Sequence, residues 1–503
     1  MIKTLKFSQV CGYAASMIAL GALPAAAQSP AFSLMHTFSA VDVNGANSDG
    51  QFPGYHFVQA FDGNYYGITN SGGLGTGAGT IWKMTPAGVL TALHYFSTAT
   101  DGGEPYGLTL GQDGNLYGCC MVAGAHGSGT IWKVTLAGVF TTLHSFDASA
   151  LDISGSYFSN TEGSSPGPLC QGADGNFYGA TAQCGPWGAG TLFEITPAGV
   201  FTILRSFGPF NQTNWTNSDG SGSCMPVQAQ DGWIYGMTRA GGSNGKGTLY
   251  KFNPASPSST FTTIHSFQAG SGGVNTDGAG IGKLLLGSGG ALYGITRGGG
   301  SNGKGTFFSM TTAGAVTTLA NFGAATGAVG KTPTDLFYGT DGYFYGTTEG
   351  VGTANAQAFK ISSAGAYTPL YTFVSTYGDL PQSIAAGSDG YLYGLTGYGG
   401  VNQNGTIFRL ATALPKTPAI STFTPTSTTA GHATFTITLT GQNFLPSSRV
   451  YFNTTPLSTV YYTPTTITAT VPASLVTTHG TINMTVVSPA PAGSTAASVF
   501  TVI

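Results

Sequence analysis

Charge is scarce in this chain. Of 503 residues, 16 are Lys or Arg and 19 are Asp or Glu, 7% together. No basic stripe is present, which removes the electrostatic footprint of a nucleic-acid binder. Cysteine is also rare, six in all, with no zinc-type spacing and no Cys-His-Asn arrangement. Beyond the first segment no run is apolar enough to span a bilayer, so no transmembrane span is expected. From Thr417 to Ile503 there is one charged residue, Arg449, and no Asp or Glu. That excludes carboxylate catalysis and a carboxylate calcium cage from this region.

The first segment has the pattern of a signal peptide. Lys3 and Lys6 precede an apolar run from Val10 to Leu23, and Ala25-Ala26-Ala27 supplies small residues for cleavage. Residues 1–27 are therefore expected to be removed. The remainder is expected outside the cell, secreted or held at its surface. Without the two leader lysines, 14 basic residues face 19 acidic ones. Few charges with 79 Gly and 12% aromatics suit an extracellular all-β protein, and the aromatic content argues against disorder.

Glycine and aromatics carry the pattern. Asp62-Gly63-Asn64-Tyr65-Tyr66-Gly67 is the first of seven similar phrases, whose tyrosines are Tyr66, Tyr117, Tyr178, Tyr235, Tyr293, Tyr345 and Tyr393. The intervals are 51, 61, 57, 58, 52 and 48 residues. A period near 50 marks a propeller or another repeat array. The third unit displays the parts: a short strand at Pro168–Gln171, the Asp174-Gly175 turn into Phe177-Tyr178-Gly179, then Gly190-Thr191-Leu192-Phe193, then the Pro197-Ala198-Gly199 turn into Phe201–Leu204. Apolar runs between such turns are hairpin signals, and four strands make a propeller blade.

The fourth strand ends in a Leu-His-x-Phe-like phrase, as in Leu93-His94-Tyr95-Phe96 and Leu143-His144-Ser145-Phe146. One copy, Leu34-Met35-His36-Thr37-Phe38, precedes the first unit, and the last unit, ending near Ala413, lacks its own. Residues 33–38 are thus expected to complete the last blade and remove an open edge. The predicted fold is all-β: a seven-bladed β-propeller over residues 33–413, closed by an N-terminal strand. A parallel β-helix is the structural rival, but its turns are usually shorter than these units.

These phrases resemble the GloVer tandem repeat of exported bacterial proteins over roughly residues 33–411. Departures are Gly289-Gly290 in the fifth turn and a worn third strand at Ala356-Gln357-Ala358-Phe359. The resemblance implies export and a repeat-built array, and no established activity.

Composition changes at the linker, residues 414–417. Residues 418–503 are rich in Thr and β-branched side chains, with short alternating strands that suggest a β-sandwich. Pro418-x-Ile420, Pro425, Gly431, Gly441-x-Asn443-Phe444, Val450-x-Phe452, Pro472 and Phe500 resemble the IPT/TIG immunoglobulin-like domain. That likeness implies a structural or binding spacer.

Candidate chemistry lies in the loops. The turn acids, such as Asp62 and Asp113, bond their own backbone beside a Gly. The repeat-position histidines His36, His94, His144 and His265 are replaced elsewhere by Arg205, Ala320 and Tyr371, as packing or edge residues would be. A second set of acids leads into the blades: Asp49, Asp101, Glu162, Asp219, Asp277 and Asp379. They cap turns, or they form a ring of acceptors for sugar hydroxyls or calcium on the face carrying the longest insertions. Trp187, Phe210 and Trp215 reach the same face, to stack on sugars or to plug loops. Lys246 and Lys304 sit in matching Gly-rich loops without the strand-loop-helix setting of a phosphate site. Two disulfides between neighbouring blades are expected, Cys184 with Cys224, and Cys119 or Cys120 with Cys170. Together these features point to a secreted or cell-surface binding or structural module with no obligatory cofactor, whose partner is a polysaccharide or another surface macromolecule. The enzymatic alternative is a carbohydrate-active hydrolase or lyase on the loop face.

Overall fold

The computed structural model describes residues 30–54, 56–152, 155, 157–209, 211, 213–214, 216–223, 225–280, 282–323, 330–350 and 356–503. Among these residues helix is confined to single turns at Pro257–Thr260, Ser288–Gly290 and Ala473–Leu475. Everything else regular is strand, and the arrangement is propeller-like.

Each repeat folds into one antiparallel sheet. In the third repeat, Ser164–Pro166 and Cys170–Gln171 pair with Phe177–Gln183, followed outward by Thr191–Ile195 and Phe201–Ser206. The same order recurs in the other repeat sheets. The seventh, Asp379–Ala386, Leu392–Tyr398 and Thr406–Leu410, takes its outer strand from Phe32–Thr37. Phe32 lies opposite Leu410 and Thr37 opposite Thr406.

The repeated phrase is explained by local chemistry. Asp62 Oδ1 accepts from the Asn64 backbone N–H at 3.1 Å, and its Oδ2 accepts from the Tyr66 hydroxyl at 2.7 Å. The same Tyr–Asp bond forms in five other repeats, at 2.6–2.8 Å. The fifth has Gly289 in place of Asp and no carboxylate to offer. The Gly after each Tyr makes room for an aromatic on the next strand. Gly179 faces Phe193, whose ring would stand 2.5 Å from any Cβ there. Gly118 faces Trp132 in the same way. Two residues beyond the Gly, Thr181 and Thr191 hydroxyls bond across the pair at 3.1 Å.

Neighbouring sheets share apolar cores. Tyr66, Ile68 and Ile81 of the first repeat pack with Leu116, Trp132 and Val134 of the second. Tyr65 and Trp82 pack with Phe38 and with Tyr393, Leu395 and Ile407 of the seventh. Each sheet is thereby covered on both faces, which is why its strands read as continuous apolar runs.

The C-terminal strands form two further sheets that share one core, including Ile437, Phe444, Val450, Ile467, Met484 and Phe500. They sit under the turn side of the repeat sheets. The Arg449 guanidinium lies 3.6 Å from the Phe61 ring centroid and donates to the Gln112 carbonyl at 3.2 Å. Tyr462 packs against the cluster that holds Ala229, Leu284 and Leu286.

Candidate functional site

The leading-loop acids are held by the preceding sheet. A β-bulge in each outer strand sets the residue after it towards the next loop. His36 Nε2–H donates to Asp49 at 2.9 Å, His94 to Asp101 at 3.0 Å, His144 to Glu162 at 3.0 Å and His265 to Asp277 at 2.8 Å. Arg205 replaces His and holds Asp219 at 2.7 Å. Backbone N–H groups of Ser39, Ser97, Asp147, Gly208 and Gln268 complete these carboxylates. His94 also stacks on Phe140 of the next repeat at 3.9 Å, and burial pulls its basicity down against the pull of Asp101. Where the repeat has Tyr371 instead of His, Asp379 is exposed and bonds only its neighbour's Leu380 N–H among the described residues. Tyr371 stacks on Phe32 at 4.3 Å.

None of the six acids lines the central hollow. That hollow, about 890 Å³ on the loop side, draws on all seven repeat sheets. Two repeat positions build it. Four residues after the repeat tyrosines stand Asn70, Met121, Ala182, Arg239, Arg297, Glu349 and Gly397; the first five line the hollow. Ten residues before those tyrosines stand His56, Gly107, Pro168, Met225, Lys283, Asp335 and Ser383. His56, Met225, Lys283 and Asp335 also line a second chamber of about 390 Å³ below, so they form the waist between the two. The lower chamber is closed by C-terminal residues, including Leu445, Tyr461 and Tyr462.

The waist is polar. Asp335 accepts from Lys283 Nζ at 2.7 Å, Ser383 Oγ at 3.1 Å, and the Leu336 and Ile384 N–H groups at 2.8 and 2.9 Å. Burial alone would raise its pKa; Lys283, His56 and these bonds hold it below the ordinary value. His56 is enclosed by protein while part of its ring faces the hollow. Burial, and then the nearby Lys283 charge, push it down to about 4, so the ring is neutral at pH 7. Its backbone is left-handed, with φ of 68°, where the equivalent Gly107 has 74°. A side chain there costs about 1–2 kcal/mol.

Three buried polar atoms in this hollow have no partner among the described residues: His56 Nδ1, Asn70 Oδ1 and Gln382 Oε1. Arg239 is exposed and has no hydrogen bond or ion pair there, while Arg297 is paired with Glu349. Trp187 lines the rim, 48% exposed, and the Tyr157 ring packs on Gly188 beside it. Trp215 and Phe210 lie outside the described residues. Asp335 is the one carboxylate among the described lining residues, so no carboxylate pair for glycoside hydrolysis converges here. Nor do three His, Cys, Asp or Glu side chains group as metal ligands anywhere among the described residues.

The expected bridge from Cys119 or Cys120 to Cys170 is not formed, and the expected Cys184–Cys224 bridge involves a residue outside the described ones. Cys119, Cys120, Cys170 and Cys184 are free and buried. Cys119 Sγ donates to the Tyr106 carbonyl at 2.7 Å, and Cys120 packs into the core between the first two sheets. Cys170 lies on the inner strand and lines the lower chamber. Successive side chains alternate faces, so Cys119 and Cys120 point to opposite faces of their sheet. Ser164 Oγ donates to Cys184 Sγ at 3.0 Å, and Cys224 lies outside the described residues.

The fold and its hollow define a tandem-repeat, propeller-like all-β protein. The Gloeobacter/Verrucomicrobia repeat matches residues 29–157, 153–356 and 273–461, and the chain belongs to that family. No curated protein matches it. Similar solved structures include a protein from Lactobacillus plantarum (15% identity, 68% of this chain and 90% of that one, TM-score 0.45). A polysaccharide lyase, an ulvan lyase, matches at 11% identity over 73% and 96% with a TM-score of 0.43. A gluconolactonase from Xanthomonas campestris matches at 10% over 75% and 99% with a TM-score of 0.38. Among the described residues no helix is long and apolar enough to cross a membrane.

Proposed function

We propose that this is an exported saccharide-binding module. Its seven repeat sheets are read as the blades of one closed wheel, and its last two sheets as an immunoglobulin-like spacer of the IPT/TIG kind. The ligand site is the loop-side hollow. One observation carries this reading: an exposed indole, Trp187, stands at the rim of a roomy pocket lined by the Asn70 and Gln382 amides, whose buried oxygens have no partner among the described residues. Aromatic faces stack on the apolar side of sugar rings, and side-chain amides exchange hydrogen bonds with hydroxyls. The repeat supplies rigidity, and its two variable positions supply the lining. Calorimetry with a panel of neutral and acidic tetrasaccharides tests this. Binding by at least one sugar, weakened tenfold or more in Trp187→Ala, is expected. A panel with no binder sinks the proposal.

A second reading, a lyase, is favoured by His56. A neutral ring in a polar waist can take a proton. In that step the proton leaves the carbon next to a sugar carboxylate, a carbon–carbon double bond forms, and the glycosidic C–O bond breaks. The leaving oxygen is then protonated from water. Release of unsaturated products, absent in His56→Gly, is the outcome that would favour it over simple binding. The two-carboxylate hydrolase has no such support.

Export is part of the proposal and rests on the Lys3–Ala27 leader pattern. A mature N-terminus near Gln28 in protein recovered outside the cell is the expected result.

A further inference from the structure

Arg239 and Arg297 stand at one repeat position, four residues after Tyr235 and Tyr293. Lys283 reaches the same hollow from the inner strand of the fifth sheet. Three cationic side chains thus line the hollow, with Asp335 as the single carboxylate among the lining residues and His56 neutral beside it. Asp335 is spent on Lys283, and Arg297 is spent on Glu349. Arg239 is spent on nothing among the described residues. The chain as a whole is acidic, with a formal net charge of −3. A positive hollow in an acidic protein is not a by-product of composition.

Arg239 is exposed, so an incoming anion reaches it directly, and a concave wall focuses its field on the hollow. Its planar fork matches an oxyanion with two parallel hydrogen bonds. The two Arg-bearing loops are nearly identical, Arg239-Ala240-Gly241-Gly242-Ser243-Asn244-Gly245-Lys246 and Arg297-Gly298-Gly299-Gly300-Ser301-Asn302-Gly303-Lys304. They therefore carry the two cations at equivalent positions on neighbouring sheets, Arg297 paired with Glu349 and Arg239 left exposed. Four of the other sheets place the uncharged Asn70, Met121, Ala182 and Gly397 at that position, and the sixth places Glu349, which pairs with Arg297 and does not line the hollow. The positive charge is confined to one sector of the rim, with Trp187 on the adjoining third sheet.

We infer that the hollow selects an acidic saccharide, one bearing a carboxylate or sulfate on the ring, with that oxyanion seated against Arg239. Trp187 receives the sugar face, and the amides of Asn70 and Gln382 receive hydroxyls. This rests on the saccharide-binding reading above and adds the charge of the ligand.

The test is calorimetry on the full chain with matched pairs: tetragalacturonate against its methyl ester, and a sulfated galactan tetrasaccharide against its desulfated form. The acidic member of at least one pair is expected to bind tenfold or more tighter than its neutral counterpart. Arg239→Gln should remove that preference, and added salt should weaken the acidic ligand selectively. Arg239 has no structural partner among the described residues, so the variant is expected to fold, which its thermal melt checks. Trp187→Ala should weaken both members of the preferred pair. Equal affinity within both pairs, or an unchanged preference in Arg239→Gln, overturns this inference and leaves the saccharide site standing. If no sugar binds at all, the site itself is overturned.

Discussion

His265 holds Asp277 by a 2.8 Å bond from its Nε2. The bond joins the outer strand of one repeat to the loop leading into the next, so it acts as a clamp between sheets. Asp277→Ala strands the His265 ring and the Gln268 N–H, and is expected to cost about 1–3 kcal/mol. Asp379→Ala, at an exposed carboxylate with no His opposite, should stay within about 0.5 kcal/mol. Denaturant unfolding of both variants decides it. Equal losses would remove the clamp.

Gly294 faces Phe308, whose ring would lie 2.5 Å from a Cβ. Gly294→Ala is expected to destabilise by about 1–3 kcal/mol through overpacking. Adding Phe308→Leu should return part of that loss, because the shorter side chain vacates the space. A double-mutant cycle with no coupling would contradict the packing account.

Leu34 shows the same reasoning at the closing strand. Its side chain is 40% exposed, but its backbone pairs with Phe408. Leu34→Pro should cost about 3 kcal/mol by breaking the ladder and opening the edge at Thr406–Leu410. Leu34→Thr should be nearly neutral. A proline variant as stable as the parent would mean that the N-terminal strand does not hold the last sheet.

At the waist, stability and function are expected to pull apart. His56→Gly relieves a left-handed side chain and should add about 1 kcal/mol at pH 7.5. The His56 pKa is lowered in the fold to about 4, so the unfolded chain binds the proton first. The stability this protects is complete above pH 6.5 and is lost as the pH falls from there towards 4. The loss amounts to at most about 3 kcal/mol. His94, also lowered, acts in the same direction. His56→Gly should therefore flatten the acid slope without abolishing it. Unfolding series at pH 7.5, 6 and 5 give the answer.

Burial pushes the Cys120 thiol up to about 12 and the Cys170 thiol up to about 11. At pH 8 neither should react with a thiol reagent in the native protein, and both should react once unfolded. A Cys120–Cys170 peptide pair under non-reducing conditions would refute the free thiols.

Much of the fold was legible because seven imperfect copies align one with another. Tyr66 and Asp62, Gly67 and Trp82, and Thr69 and Thr80 each do a local job, and local jobs repeat. The strand at Leu34–Phe38 announced its place because its phrase matched outer strands elsewhere. The pairing of His36 with Asp49 was missed, although it was visible as correlation: the acid is held wherever His or Arg precedes it, and Asp379 is left exposed after Tyr371. The hollow was almost wholly missed. Only Trp187 was singled out. Asn70, Arg239 and Arg297, with His56, Lys283 and Asp335, had a signal of another kind, namely variation at two positions flanked by constancy.

The sequence alone determined which residues must be alike in every sheet, because turn geometry, cross-strand fit and hydroxyl pairing act over a few residues. Tertiary structure alone decided which unlike residues meet. Residues as distant as His56 and Asp335 become neighbours at the waist because repeat sheets bring equivalent positions around one hollow, and proximity of that kind has no signature in the spacing along a chain.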